Sequence, residues 1–142
     1  MATTNLNLTT IAGTDNPANF PATYNDAMGK IDANAGASAV TFTASAGMTS
    51  NLSIRKYGKV VTVNGYVQSS SNFTTEFTVL GTIASGARPV DHARFPVEFA
   101  STQYNVGEVG YGYVNTNGTI NVRAPAGTTY TFVYFTCSYI TV

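Results

Sequence analysis

A chain of 142 residues, 44% of them hydrophobic, can build one domain with a proper core and a short appendage, but not two such domains. Charged residues make up only 10%, seven basic against seven acidic, where soluble domains average about 25%, so no field of one sign exists to recruit nucleic acid or an acidic membrane. The single cysteine, Cys137, excludes an intrachain disulfide and a cysteine-based metal site and reads as a small buried hydrophobe.

Residues 1 to about 16 are Thr, Asn and Asp with scattered Leu6, Leu8 and Ile11, and they end in the turn-forming Gly13-Thr14-Asp15-Asn16-Pro17. This composition predicts an extended arm with too little apolar material to fold alone. The opening residues lack a basic segment followed by an apolar one, and no apolar run approaches the ~18 residues of a membrane span; no membrane insertion is expected. From Pro21 to about Asn34 the pattern predicts a helix, with Pro21 at a first helical position and Gly36 as a stop. Phe20, Tyr24, Ala27 with Met28, and Ile31 recur at spacings of three and four and form one narrow apolar stripe. So short a helix, with Gly29 inside it, is marginal in water. Its stripe is expected to pack either on the rest of the chain or against copies of itself in an oligomeric neck. The expected organisation is therefore an arm and neck helix over 1–38 and a β-rich head over 39–142.

From Val40 onward apolar residues alternate with polar ones and turn residues interrupt them at short intervals. Expected strands are Val40 to Ala44, Asn51 to Tyr57, Lys59 to Ser69, Glu76 to Ile83, Arg94 to Ala100, Val106 to Asn115, Thr119 to Ala124 and Tyr130 to Val142. Leu52 and Ile54 should share a face with Val61, Val63 and Val67 across a tight turn at Gly58. Asn117-Gly118 signals a hairpin of type I′, whose two central residues need positive φ. The closing strand carries bulky residues on both faces and is expected to need cover on two sides. Eight short antiparallel strands without internal helices predict an all-β, jelly-roll-like sandwich or barrel.

Chemistry-bearing motifs are few. His92 is the only histidine, no nucleophile-elbow pattern is present, and a carboxylate pair for glycoside cleavage would have to come from seven acids. No enzyme, no cofactor and no metal site is expected. Gly107-Glu108-Val109-Gly110-Tyr111-Gly112 is glycine-rich but opens no helix, so it cannot cradle phosphate; its glycines mark a bulge or a close chain approach beside Tyr111 and Tyr113. Nine Tyr and eight Phe are the residues suited to binding, because a Tyr ring offers an apolar face to sugar C–H groups and a hydroxyl to the polar rim. The predicted ligand site draws on Arg88, Asp91, His92 and Arg94 from one loop and on Tyr104, Tyr111 and Tyr113 from another.

Several segments carry a family resemblance. The run from Ser50 to Val67, then Gly81-Thr82-Ile83, Ala87-Arg88-Pro89, the stretch Gly112 to Ile120 and the terminal Cys137-Ser138-Tyr139-Ile140-Thr141 resemble head domains of receptor-binding and baseplate proteins of tailed bacteriophages, especially those with Gram-positive hosts. Thr3-Thr4-Asn5-Leu6-Asn7-Leu8, Gly13-Thr14-Asp15 and Lys30-Ile31-Asp32 are similar to the leading segment of such fibre proteins. The resemblance implies a homotrimeric virion protein, assembled in the host cytoplasm, with arms docked on other virion structural proteins, Phe20, Tyr24, Ala27, Met28 and Ile31 in a trimer neck, and heads that bind host cell-wall saccharide. No long shaft separates neck from head, so a purely structural baseplate or capsid head-fibre role without ligand is the alternative.

Overall fold

The computed structural model describes residues 36–105, 107–125 and 129–142. The chain divides into two units, Met1–Ala37 and Ser38–Val142. The expected arm and helix, with Phe20, Tyr24, Ala27, Met28 and Ile31, lie outside the described residues.

Among the described residues nine strands build the second unit: β1 (Ser38–Ala39), β2 (Phe42–Ala44), β3 (Met48–Tyr57), β4 (Val60–Ser69), β5 (Thr78–Ile83), β6 (Ala93–Ala100), β7 (Glu108–Val114), β8 (Thr119–Arg123) and β9 (Phe132–Ile140), with one 3-10 turn at Ser85–Ala87. They make a single antiparallel sheet in the order β1-β3-β4-β9-β6-β7-β8-β5-β2. The two edges of this sheet belong to one stretch of chain. Ser38 and Ala39 pair with Lys56 and Arg55, and Val40 N–H still donates to Ile54 O at 3.0 Å. Beyond it Thr41 O accepts from Ala84 N–H at 3.0 Å, and Phe42–Ala44 pair with Ile83–Gly81. The sheet curls until its edges meet on that stretch, which is the sandwich or barrel class that the alternation predicts. Of the expected first strand, Val40 to Ala44, only Phe42–Ala44 is strand, and an unexpected short strand, Ser38–Ala39, precedes it, because the chain changes partner between Val40 and Thr41.

Alternation sends one face of every long strand inward. Ile54, Val61, Val63 and Val67 are buried from β3 and β4, Phe95, Val97 and Phe99 from β6, Ile120 and Val122 from β8, and Val133, Phe135, Cys137 and Tyr139 from β9. Each such aliphatic or aromatic side chain contributes roughly 1.5–3 kcal/mol on burial. Tyr57↔Val60 pairing leaves a two-residue turn, Gly58-Lys59, with Gly58 at φ +58°, as the twist of a tight hairpin requires.

Two expectations need correction. The Asn117-Gly118 hairpin is not a two-residue type I′ turn: Asn115 N–H bonds Thr119 O at 2.9 Å and Gly118 N–H bonds Asn115 O at 2.8 Å. The loop has three residues, and Gly118 at φ +89° supplies the left-handed position such a loop ends on. Nor is β9 bulky along both faces. Its outer side carries half-buried Phe132 and Tyr134, then exposed Thr136 and Ser138, then Ile140 at 51% exposure. The middle of that face needs no apolar cover.

Candidate functional site

Glycines on β7 decide where the aromatic residues go. Gly110 and Gly112 sit on the inner face under the Phe99 and Phe95 rings; a Cβ would lie 2.4 Å from Phe99 Cε2 at Gly110 and 2.7 Å from Phe95 Cε2 at Gly112. The strand can approach those rings only without side chains there, as close chain approach in a strand demands. Beside those rings its bulk therefore stands on the outer face, as Val109, Tyr111 and Tyr113, and only Val114 at its end fills the core.

Register then assembles the neighbours. Tyr111 lies opposite Pro96 on β6 and Arg123 on β8, and Tyr113 opposite Arg94 and Asn121; directly opposed residues point the same way. Phe77, just ahead of β5, closes the group edge-on to both tyrosines, at ring-centroid distances of 5.9 Å to Tyr111 and 5.3 Å to Tyr113. The Arg123 guanidinium stands 5.5 Å over the Phe77 ring, within cation–π range. His92 lies 5.9 Å from Tyr113. Phe77, His92, Arg94, Tyr111 and Tyr113 line a shallow groove of roughly 240 Å³. Aromatic faces, phenol hydroxyls and guanidinium donors can together grip a polyhydroxylated ring, and among the described residues no carboxylate lines the groove.

Of the seven predicted ligand residues the groove thus unites four: His92, Arg94, Tyr111 and Tyr113. Asp91 is exposed nearby, its Oδ1 accepting the His92 backbone N–H at 2.7 Å. Arg88 packs elsewhere, against Gly118, whose added Cβ would lie 3.1 Å from the Arg88 Cγ and Nε. Its Nε is buried without a hydrogen-bond partner among the described residues. Tyr104 is 90% exposed in the loop after β6, beside a second aromatic group that sequence reasoning missed.

That second group is Tyr66, Phe132 and Tyr134, with Tyr66 and Tyr134 paired across β4 and β9 and their rings 5.3 Å apart. The Tyr134 hydroxyl donates to Gln103 O, and Gln103 Nε2 donates to the Tyr66 hydroxyl at 3.2 Å. Burial, with smaller contributions from Tyr66, Tyr104 and Glu98, lifts the Tyr134 hydroxyl above the usual tyrosine range. Phe77 and Arg123 were also missed. The signal for Arg123 is its place five residues after Gly118, which a hairpin sets against Tyr111; Phe77 has no such signal, because a bulge between Val79 and Gly81 breaks the register that would locate it.

No protein-family profile and no curated protein sequence matches the chain. Solved structures do. The head domain of lactococcal phage bIL170, from a study of receptor-binding domains of lactococcal phages, superposes with a TM-score of 0.57 at 17% identity, covering 72% of this chain and 99% of that one. The receptor binding protein (gp15) of Listeria phage PSA superposes with a TM-score of 0.63 at 16% identity, covering 96% of this chain and 84% of that one. The curled antiparallel sheet, with its aromatic outer face, has the fold of phage receptor-binding heads.

Proposed function

We propose that the chain is a phage virion protein whose β-unit is the receptor-binding head of a homotrimer, attaching to a host cell-surface saccharide. The fold shared with the bIL170 and PSA proteins supports the receptor-binding role. The observation that carries the saccharide is the groove of Phe77, His92, Arg94, Tyr111 and Tyr113: an exposed Phe77 ring beside two half-buried tyrosine rings on the outer face of the sheet, flanked by donors and lined by no carboxylate among the described residues. Stacking on Tyr113 and Phe77 holds the C–H face of a sugar, while Arg94 and the tyrosine hydroxyls bind its rim. Each contact is weak. Three heads on one trimer, repeated around a virion, convert millimolar sites into firm attachment. In this reading the N-terminal residues dock on other virion structural proteins, and Phe20, Tyr24, Ala27, Met28 and Ile31 join the three chains in the neck.

Binding of the purified protein to cell walls from a panel of Gram-positive bacteria tests the role. Host-selective binding is expected, weakened by about tenfold or more in Tyr113→Ala or Phe77→Ala, as loss of one well-placed ring implies. A folded trimer that binds all walls equally poorly, with neither substitution mattering, leaves the structural fibre role instead.

A further inference from the structure

The second aromatic group borders a cleft of different character. The β6–β9 ladder consists of Glu98↔Tyr134, Phe99↔Val133 and Ala100↔Phe132, and it stops two residues short of Pro96, which has no N–H to offer. Beneath the surface the Phe95 and Phe135 rings stack at 5.1 Å and hold the parting strands over the core. Above them a depression of roughly 330 Å³ opens, lined by Asn64, Gly65, Tyr66, Glu98, Tyr134, Phe135 and Thr136. Ligand pockets of about 300–1,000 Å³ begin at this size.

Its chemistry is uncharged except for one carboxylate. Glu98 Oε1 accepts Gly107 N–H at 3.0 Å, and Thr136 Oγ1 donates to Asn64 Oδ1 at 2.7 Å. Among the described residues this leaves Glu98 Oε2 and the Asn64 amide N–H groups for another partner. The Tyr134 and Tyr66 rings are pinned by Gln103, so the platform is ordered before anything binds. A carboxylate, an amide and a hydroxyl in one small cleft do not suit the dry centre of a protein interface. Among the described residues no cationic side chain lines it.

We infer that this cleft is a second saccharide site, one that takes an uncharged pyranose stacked on Tyr134, with Glu98 and Asn64 bonding adjacent hydroxyls. The inference rests on the proposed attachment role for its purpose but not for its chemistry. Against the groove with Arg94 and Arg123, it gives the head two sites of opposite electrostatic preference. The Glu98 carboxylate repels a phosphorylated or acidic sugar here, whereas the arginines attract one there.

The test is titration of the full chain with methyl α-glucoside and N-acetylglucosamine, and with glucose 6-phosphate as the anionic counterpart, to about 50 mM, which populates a millimolar site. The readout is the NMR signals of the tyrosine rings. The neutral sugars are expected to shift Tyr66 and Tyr134, glucose 6-phosphate to leave them in place, and Tyr134→Ala to weaken the neutral sugars by about tenfold. Glu98→Gln, which keeps the side chain's size, should narrow the discrimination against glucose 6-phosphate even if Tyr134→Ala fails to fold. No shift at Tyr66 or Tyr134 with either neutral sugar, or equal shifts with the phosphorylated one, overturns the site. Tyr113→Ala separates the two readings: it should lose cell-wall binding while keeping the sugar-induced shifts, so failure of one site leaves the other standing.

Discussion

Cys137 shows how burial governs a single group. Its side chain is 9% exposed on the inner face of β9, and desolvation of the thiolate pushes the thiol from its ordinary 9.0 up to about 12. The folded thiol should therefore resist alkylating reagents at pH 8 and react only on unfolding, which a mass shift with and without denaturant measures. The same shift has a pH consequence. Between 9.0 and about 12 the unfolded chain loses this proton and the folded chain keeps it, so stability is intact below the lower value and falls by up to about 1.4 kcal/mol per pH unit above it. The buried Tyr139, whose hydroxyl donates to Ala87 O at 2.7 Å, is shifted the same way by burial and by Cys137. Denaturant midpoints across that pH range should decline, and less steeply in Cys137→Ala. Gly112 is the opposite case, a side chain whose absence matters. Gly112→Ala would set a methyl 2.7 Å from Phe95 Cε2 and 2.8 Å from Val97 Cγ1, and should cost about 1–3 kcal/mol by overpacking, measurable by urea unfolding.

The hairpins show which signals survive from sequence to element. The strands on either side of Gly58 and of Asn117-Gly118 were legible because alternation and turn residues agree there. The turn geometry of the second was not, since a two-residue and a three-residue loop use the same Asn-Gly pair and differ only in which carbonyl each N–H finds. Gly118→Ala tests the observed form. At φ +89° alanine is strained, and its Cβ would meet Ile83 O at 2.7 Å, so a loss of about 1–2 kcal/mol is expected. Asn117→Ala should lose less, because it removes only the Oδ1 bonds to the Thr119 N–H and hydroxyl at 3.0 and 2.8 Å. Proline acts on a strand in the same local way: Pro96 keeps its pairing with Tyr111 on β7 while the β9 side of β6 opens into the cleft.

At the scale of the whole molecule, closure depends on the seven residues from Ser38 to Ala44, which serve β3 at one end and β5 at the other. Outside the closed sheet, Tyr57, Val60, Val90, Ile140 and Val142 remain between 39% and 86% exposed. Val60 pairs with both Tyr57 and Ile140, and Val90 N–H bonds Ile140 O, so they form a continuous apolar rim, the kind of surface that marks a contact site. The proposed trimer predicts a solution mass near three times 14.9 kDa. Light scattering that returns a single 14.9 kDa species at micromolar concentration removes the threefold arrangement, and with it the multivalent attachment.

Local patterning alone gives the all-β class, most strand positions, the inner face of β3 and β4 and the burial of Cys137, because alternation and turn chemistry are local and each residue's preference is visible to its neighbours. It also marked the glycines beside Tyr111 and Tyr113 as a bulge or close chain approach, and the close approach at Gly110 and Gly112 is what leaves both rings on the outer face. Which distant strands lie side by side emerges only on folding. That joined His92 and Arg94 to Phe77 and Arg123, sent Arg88 to Gly118 and Tyr104 toward Tyr134, and opened a cleft at Glu98. Strand order and register arise from packing of side chains far apart in the chain, and a binding site on a sheet is made of just those cross-strand neighbours.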